Sequence, residues 1–290
     1  MFLYNKKVKK LINIYNFDYL YHFNSINLYG FIIVSLVFLS IGSFAASLIH
    51  RLSSTSYKGI NIFFSRSQCP KCSSKISLIN LIPIFGFILQ KTRCTNCNSS
   101  ISYFYPITEL IFLIIGLTLL FLYGNSIYFY ILFLIFFLFY SLFILDWKLF
   151  YLPLFLNFAL IFIGFTSNFI FQVFNDYSDL YKLSSQLFPF YGFIIGYFTL
   201  WIVNLIFKIF FKKNGIGGGD FLLFAGIGSI FGPFALPFIM MVSSILGCLI
   251  FLTFYNKFHN EIPFGSCLIL GTICYFILKS FELFTDYLVI

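Results

Sequence analysis

Apolar runs of near twenty residues recur from Gly30 to the C-terminus, separated by short polar stretches. Eight segments stand out: Gly30–Ile49, Ile107–Tyr123, Ile127–Leu145, Leu152–Phe171, Phe188–Phe207, Phe221–Phe231, Leu236–Tyr255 and Phe264–Phe281. A helix needs about 20 apolar residues to cross ~30 Å of hydrocarbon, and most of these segments are long enough. Phe221–Phe231 has only 11 residues before Gly232-Pro233, so a half-helix supported by protein rather than lipid is expected there. Gly30–Ile49 exceeds the ~7–15 residues of a signal-peptide core and further spans follow it, so it is read as a retained span. One substantial polar region, His50 to Tyr105, interrupts the pattern, and no internal repeat is expected. The pattern predicts an all-α polytopic membrane protein: about eight transmembrane helices, with a small cytoplasmic four-cysteine domain between the first two. Its parts are a basic tail at 1–28, the first transmembrane helix at 29–49, the four-cysteine domain at 50–105 and a transmembrane domain at 106–290.

Composition agrees. Apolar residues make up 60% of the 290 and charged residues 9%, against about 25% in a soluble domain, which excludes a soluble core. The net charge of +9 takes its meaning from where it lies. With the polar region inside, the cytoplasmic side receives Arg51, Lys58, Arg66, Lys71, Lys75, Lys91, Arg93, Lys148, Lys208, Lys212, Lys213 and Lys257. The outside receives Lys182, Lys279 and the tail lysines Lys6, Lys7, Lys9 and Lys10, which stand roughly 20 residues from the first span, near the limit of steering. This bias orients the chain, and the basic charge is an orientation signal rather than a nucleic-acid footprint.

Of nine acidic residues, Asp18, Asp176, Asp179, Glu261, Glu282 and Asp286 fall in extramembrane stretches and read as solvated surface. Glu109, Asp146 and Asp220 lie against apolar segments. Asp146 closes the third segment and Asp220 opens the sixth, and the orientation puts both at the cytoplasmic level. One such Asp is equally well explained by headgroup solvation. Two at one level, one behind a glycine run, point to function, since carboxylates at a membrane boundary are costly unless used. Two close carboxylates cannot comfortably both ionise, so one can accept a proton from water while the other hydrogen-bonds a scissile carbonyl; their titration belongs to the pair. Gly217, Gly218 and Gly219 clear side chains from the approach to Asp220 and tolerate φ > 0, so an extended substrate could come close. A dinucleotide loop is excluded, because Asp220 stands where its third glycine belongs and no strand precedes it.

Cys69-Pro70-Lys71-Cys72 and Cys94-Thr95-Asn96-Cys97 are two C-x-x-C pairs with 21 residues between them. Four thiolates on two knuckles suit a tetrahedral structural zinc, with a spacing slightly beyond the usual ~15–20 residues. Disulfides and a redox C-x-x-C are the alternatives; a reducing cytoplasm favours metal. Cys248, Cys267 and Cys274 read as small packing residues.

Taken in order, these features resemble the type IV prepilin peptidase family of bifunctional leader peptidases and N-methyltransferases. The resemblance covers nearly the whole chain from Gly30. It rests on Gly42-Ser43-Phe44 with His50-Arg51-Leu52, Ser67-Gln68-Cys69-Pro70-Lys71-Cys72, Ile82-Pro83, and Arg93 through Cys97. Further on, it rests on Ile101-Ser102, Tyr105-Pro106 with Glu109, Asp146 with Leu152-Pro153, Gly217-Gly218-Gly219-Asp220, and Ile262-Pro263-Phe264-Gly265. Ala46, Leu154, Leu222 and Ser266 depart from residues common in the family: Asn, an acid, Lys and Pro. The resemblance implies a GxGD aspartyl endopeptidase of the bacterial inner membrane, with Asp146 and Asp220 as the catalytic pair and Glu109 as a contributor or a polar anchor. The implied substrates are prepilins or pseudopilins of type IV pilus or type II secretion systems, cut after a short basic leader. It also implies methylation of the new N-terminus from S-adenosylmethionine, for which spacing supplies no residues. A proton-coupled transporter would place carboxylates nearer the midplane within inverted repeats. A non-catalytic zinc-stabilised assembly factor leaves Asp220 idle, and an archaeal-type preflagellin peptidase has no need of four cysteines.

Overall fold

A computed structural model describes residues 28–53, 66–69, 71–171, 187–213, 215–258 and 262–280. The basic tail at 1–27 lies outside these residues, as do Pro70 and the six acidic residues read as solvated. Eight long helices are present among the described residues: α1 (Leu28–Ser53), α3 (Phe104–Tyr123), α4 (Ile127–Leu149), α5 (Leu154–Phe169), α6 (Phe188–Phe211), α7 (Gly218–Phe231), α8 (Leu236–Phe258) and α9 (Phe264–Ser280). A single turn, α2 (Phe85–Leu89), lies between α1 and α3. Helices α1, α3, α4, α6 and α8 are long and apolar enough to cross a bilayer. The others, α5, α7 and α9, have 16, 14 and 17 residues, or about 21–26 Å of helix. Most helices outrun the apolar segments that predicted them, because backbone hydrogen bonding continues past the hydrocarbon into polar sequence.

The chain divides into two units, 1–133 and 134–290. In the first, α1 packs antiparallel on α3. A Cβ on Gly42 would come 2.8 Å from the Glu109 Cα, and one on Gly116 would press 2.6 Å into the Phe38 ring, so both glycines permit the close approach. Phe38 meets Phe133 at 5.1 Å and Phe129 at 6.0 Å, and Phe133 meets Phe112 at 6.1 Å, closing an aromatic cluster over the start of α4.

In the second unit, α5 and α7 run parallel. Asn157 Nδ2 donates to the Gly219 carbonyl at 3.2 Å, and Asn168 Nδ2 donates to the Ser229 and Ile230 carbonyls at 2.7 and 2.8 Å. The two asparagines lie about three helical turns apart and tie the same pair of helices at both ends. Helix α6 runs antiparallel to α7, with the Gly192 and Gly228 backbones so close that a Cβ on either would strike the other's carbonyl oxygen. Every residue from Leu223 to Phe231 is buried, so α7 is enclosed by protein, as its half-helix length requires. Helices α8 and α9 form an antiparallel pair, with Gly271 against Ser243 and Ile239.

Candidate active site

Four helix ends meet around Asp146 and Asp220. Asp146 occupies the last turn of α4, which Phe150 closes with φ 53° and an N–H to the Asp146 carbonyl at 2.9 Å. A carboxylate there faces the negative end of its own helix dipole. The N-terminus of α9 compensates: Asp146 Oδ2 accepts the Ser266 N–H at 2.6 Å and the Ser266 hydroxyl at 2.8 Å. Hydrogen bonds to a charged group are worth ~1.5–3 kcal/mol each. Gly265 lets α9 approach, since a Cβ there would stand 3.1 Å from the carboxylate carbon.

Asp220 lies in the first turn of α7. Its Oδ2 accepts the Gly217 N–H at 3.2 Å while its own N–H reaches the Gly217 carbonyl at 3.1 Å, and this reciprocal pair starts the helix. Gly217 is extended, at φ −72° and ψ 148°. Among the described residues positive-φ glycines occur only at 124 and 232, so the glycine run does not use its tolerance of positive φ. What the run supplies is space: Gly219 packs on Leu152, with a would-be Cβ contact of 2.8 Å, and nothing lies within 4 Å of a Cβ on Gly218. Leu152 also packs on Gly265, so one leucine bridges the starts of α7 and α9 beside the two carboxylates.

Asp146 is 4% exposed and Asp220 9%, and the two are close enough to interact electrostatically. Asp220 Oδ1 is buried without a hydrogen-bond partner, and so is Asn157 Oδ1. Cys267, read from the sequence as packing, is fully buried within electrostatic reach of both carboxylates. Sequence reasoning passed over Asn157 and noted Ser266 only as a departure. The available signal was a pair of Asn residues at helical spacing in an otherwise apolar segment.

Glu109 is a local anchor in the first unit. Its Oε2 accepts the Ile84 N–H at 2.7 Å, and its carboxylate accepts a hydrogen bond from Ser43. Ile84 carries φ 62° at the start of α2, a conformation costly for a β-branched residue, and Glu109 helps to hold it.

The four cysteines form a cluster whose sulfur atoms all lie within 4.8 Å of one another. The expectation of no repeat fails here, because the two knuckles are copies at a 25-residue offset. Cys69 N–H donates to the Ser74 carbonyl and Cys94 N–H to that of Ser99; Ser73 and Asn98 both take positive φ; bridges join Gln68 to Lys75 and Arg93 to Ser100. The repeat is short and is written in the sequence as well as the geometry: Ser74, Ile76 and Ser77 recur as Ser99, Ile101 and Ser102. Sulfur separations are 3.7 Å for Cys69–Cys97 and 4.0 Å for Cys72–Cys94. Four thiolates ~2.3 Å from a tetrahedral zinc stand about 3.8 Å apart, so the donor set fits. The Cys72 backbone N–H, aided by that of Lys71, pulls the Cys69 thiol down to about 6, and the backbone N–H groups of Cys97 and Asn96 lower that of Cys94. Thiolates are the ligating form.

Apolar helices around buried carboxylates at adjoining helix ends define a multi-pass membrane protein with an acidic site at the end of its spans. The model of the Bacterial Peptidase A24 N-terminal domain matches residues 36–123, and that of the Type IV leader peptidase family matches 131–252. The chain is 28% identical over 251 residues to the prepilin leader peptidase/N-methyltransferase of Vibrio cholerae, covering 84% of this chain and 95% of that one. It is also 28% identical to an Escherichia coli type 4 prepilin-like proteins leader peptide-processing enzyme, over 76% of this chain and 78% of the relative. The prepilin leader peptidase/N-methyltransferase of Neisseria gonorrhoeae is 28% identical over 72% of this chain and 69% of its own. No solved structure matches. The chain belongs to the type IV leader peptidase family, as a multi-pass protein of the bacterial inner membrane.

Proposed function

We propose that this protein is an aspartyl endopeptidase that removes the leader of type IV prepilins or pseudopilins, with Asp146 and Asp220 as its catalytic dyad. The observation that carries the reading is the pair of buried, interacting carboxylates at one meeting of helix ends. Both sit in terminal helical turns, as a peptidase working at the membrane boundary needs and a midplane transporter does not. A water oxygen bonds the scissile carbonyl carbon as one of its protons passes to the ionised aspartate. The proton of the other aspartate moves to the carbonyl oxygen. Collapse of the tetrahedral carbon breaks the C–N bond, and the leaving amine takes up a proton, giving acid plus amine from peptide plus water. Gly218 leaves room for an extended backbone beside Asp220.

Cys69, Cys72, Cys94 and Cys97 would hold a structural zinc that ties the two knuckles together. With four ligands committed it offers no open position for catalysis. The relatives' names add N-methylation, which would use S-adenosylmethionine as a co-substrate; no residue is assigned to it.

The test is leader removal from a prepilin by the purified protein, read by mass. Asp146→Asn and Asp220→Asn are expected to lower cleavage by about 10²–10⁴-fold with the fold intact, the loss typical of a missing acid or base. Asn retains an oxygen acceptor for Ser266 or Gly217. Near-parental cleavage by either variant removes that residue from the mechanism.

A further inference from the structure

Asn157 lies in the first turns of α5, fully buried. Its amide orientation is fixed by chemistry: the Gly219 carbonyl accepts, so the group facing it at 3.2 Å is Nδ2, and Oδ1 points elsewhere. That Oδ1 has no donor, and neither does Asp220 Oδ1. Gly219 and Asp220 are consecutive, so the two orphan oxygens belong to one small region. An unpaired buried acceptor costs ~1–3 kcal/mol, which two such atoms would double without return. Asn168, at the other end of α5, offers the contrast. Its amide donates to two carbonyls and ties the same helices, with no unpartnered atom.

Two buried acceptors without a donor, one on the residue hydrogen-bonded to Gly219 and the other on the next residue of the chain, can be satisfied by the two hydrogens of one water molecule. A water that donates to both keeps a lone pair free for attack on a carbonyl carbon. The open side at Gly218, where a Cβ would meet nothing within 4 Å, provides room beside Asp220. We propose that Asn157 is a positioning residue for the hydrolytic water, its Nδ2 locked to Gly219 so that its Oδ1 and Asp220 Oδ1 hold that water at the dyad. This rests on the aspartyl reading above. Asn157 exchanges no proton: it accepts one water hydrogen throughout, while the other passes to the ionised carboxylate as the oxygen bonds carbon. The rest of the hydrolysis balances as before.

The experiment compares Asn157→Leu with Asn168→Leu in the full-length protein, measuring kcat, KM and melting temperature on one purified prepilin. If Asn157 only ties α5 to α7, Asn168→Leu should do at least as much damage, since it removes at least two hydrogen bonds between these helices. Positioning predicts a different pattern. Asn157→Leu loses about 10–100-fold in kcat with KM unchanged, the usual scale for a misplaced reactant. Asn168→Leu melts lower yet keeps its kcat below its melting point. Asn157→Thr, whose hydroxyl can donate to Gly219 and accept from water, should keep part of the rate that Asn157→Leu loses. A parental kcat in Asn157→Leu overturns the proposal, as does a raised KM with kcat unchanged, which would mark Oδ1 as a contact to the peptide itself. Asp146→Asn and Asp220→Asn run in parallel: if they cleave, the dyad has failed, and if they do not while Asn157→Leu does, only the water assignment has.

Discussion

The four cysteines stand on loops whose regular structure is two single bridges, a three-residue 3₁₀ turn and the five-residue α2, whereas the two aspartates stand at the ends of long packed helices. Around the cysteines Leu78, Ile79, Phe85, Ile88 and Leu89 are all more than half exposed, so little apolar burial is available to hold that region. Around the aspartates, glycine contacts and asparagine ties bring helix backbones together over their whole length. One region depends on a cross-link between side chains, and the other on the shape of its helices. They should therefore fail differently, and each should leave the other standing.

The largest effect is expected where the helices touch. Gly228→Val puts three carbons against the Gly192 carbonyl, with backbone rather than a flexible side chain in the way. Overpacking of a rigid contact costs ~1–3 kcal/mol and more when nothing can yield. The expected result is loss of folded protein or a large fall in melting temperature, with metal content per folded chain unchanged. A well-folded, active variant would show that α6 and α7 do not meet there.

Next comes the cross-link. Cys94→Ser should lose the metal, which the parent is expected to carry at about one zinc per chain. Because metal binding and local folding are linked, limited proteolysis should then cut within 66–103 while fragments from 134–290 stay protected. Equal sensitivity in both units would undo the contrast between them. The smallest effect belongs to Ser266→Ala, which keeps the N–H bond to Asp146 at 2.6 Å and gives up the hydroxyl bond at 2.8 Å. Cleavage should fall a few-fold.

Local sequence showed the helices, the cysteine knuckles and the aspartates, because each announces itself within a few residues: an apolar run, a C-x-x-C, an Asp where hydrocarbon ends. It placed the start of α7 at Phe221, whereas the helix begins at Gly218. The Asp220 carboxylate bonds back to Gly217 and winds the glycines into the first turn, which a glycine run alone does not reveal. The repeat of the knuckles is legible once the two are aligned, since five of nine residues recur between Cys69–Ser77 and Cys94–Ser102, but the φ angles and carbonyl partners that go with it are not. Pairings across long stretches of chain were equally hidden. Nothing near Ser266 points 120 residues back to Asp146, and nothing near Asn157 points to Gly219. Those contacts follow from which helices lie side by side, and they turn two isolated acids into a site.

The division of labour itself is tested most directly by measuring the leader-cleavage rate immediately after zinc chelation, with metal content and proteolysis of the cysteine region followed in the same sample. If the aspartates hydrolyse and the cysteines only fold, cleavage persists at its initial rate once the metal is gone and declines only as the 66–103 region becomes protease-sensitive. Immediate loss of cleavage with that region still protected, and its return on adding zinc back, would make the metal catalytic and contradict the account.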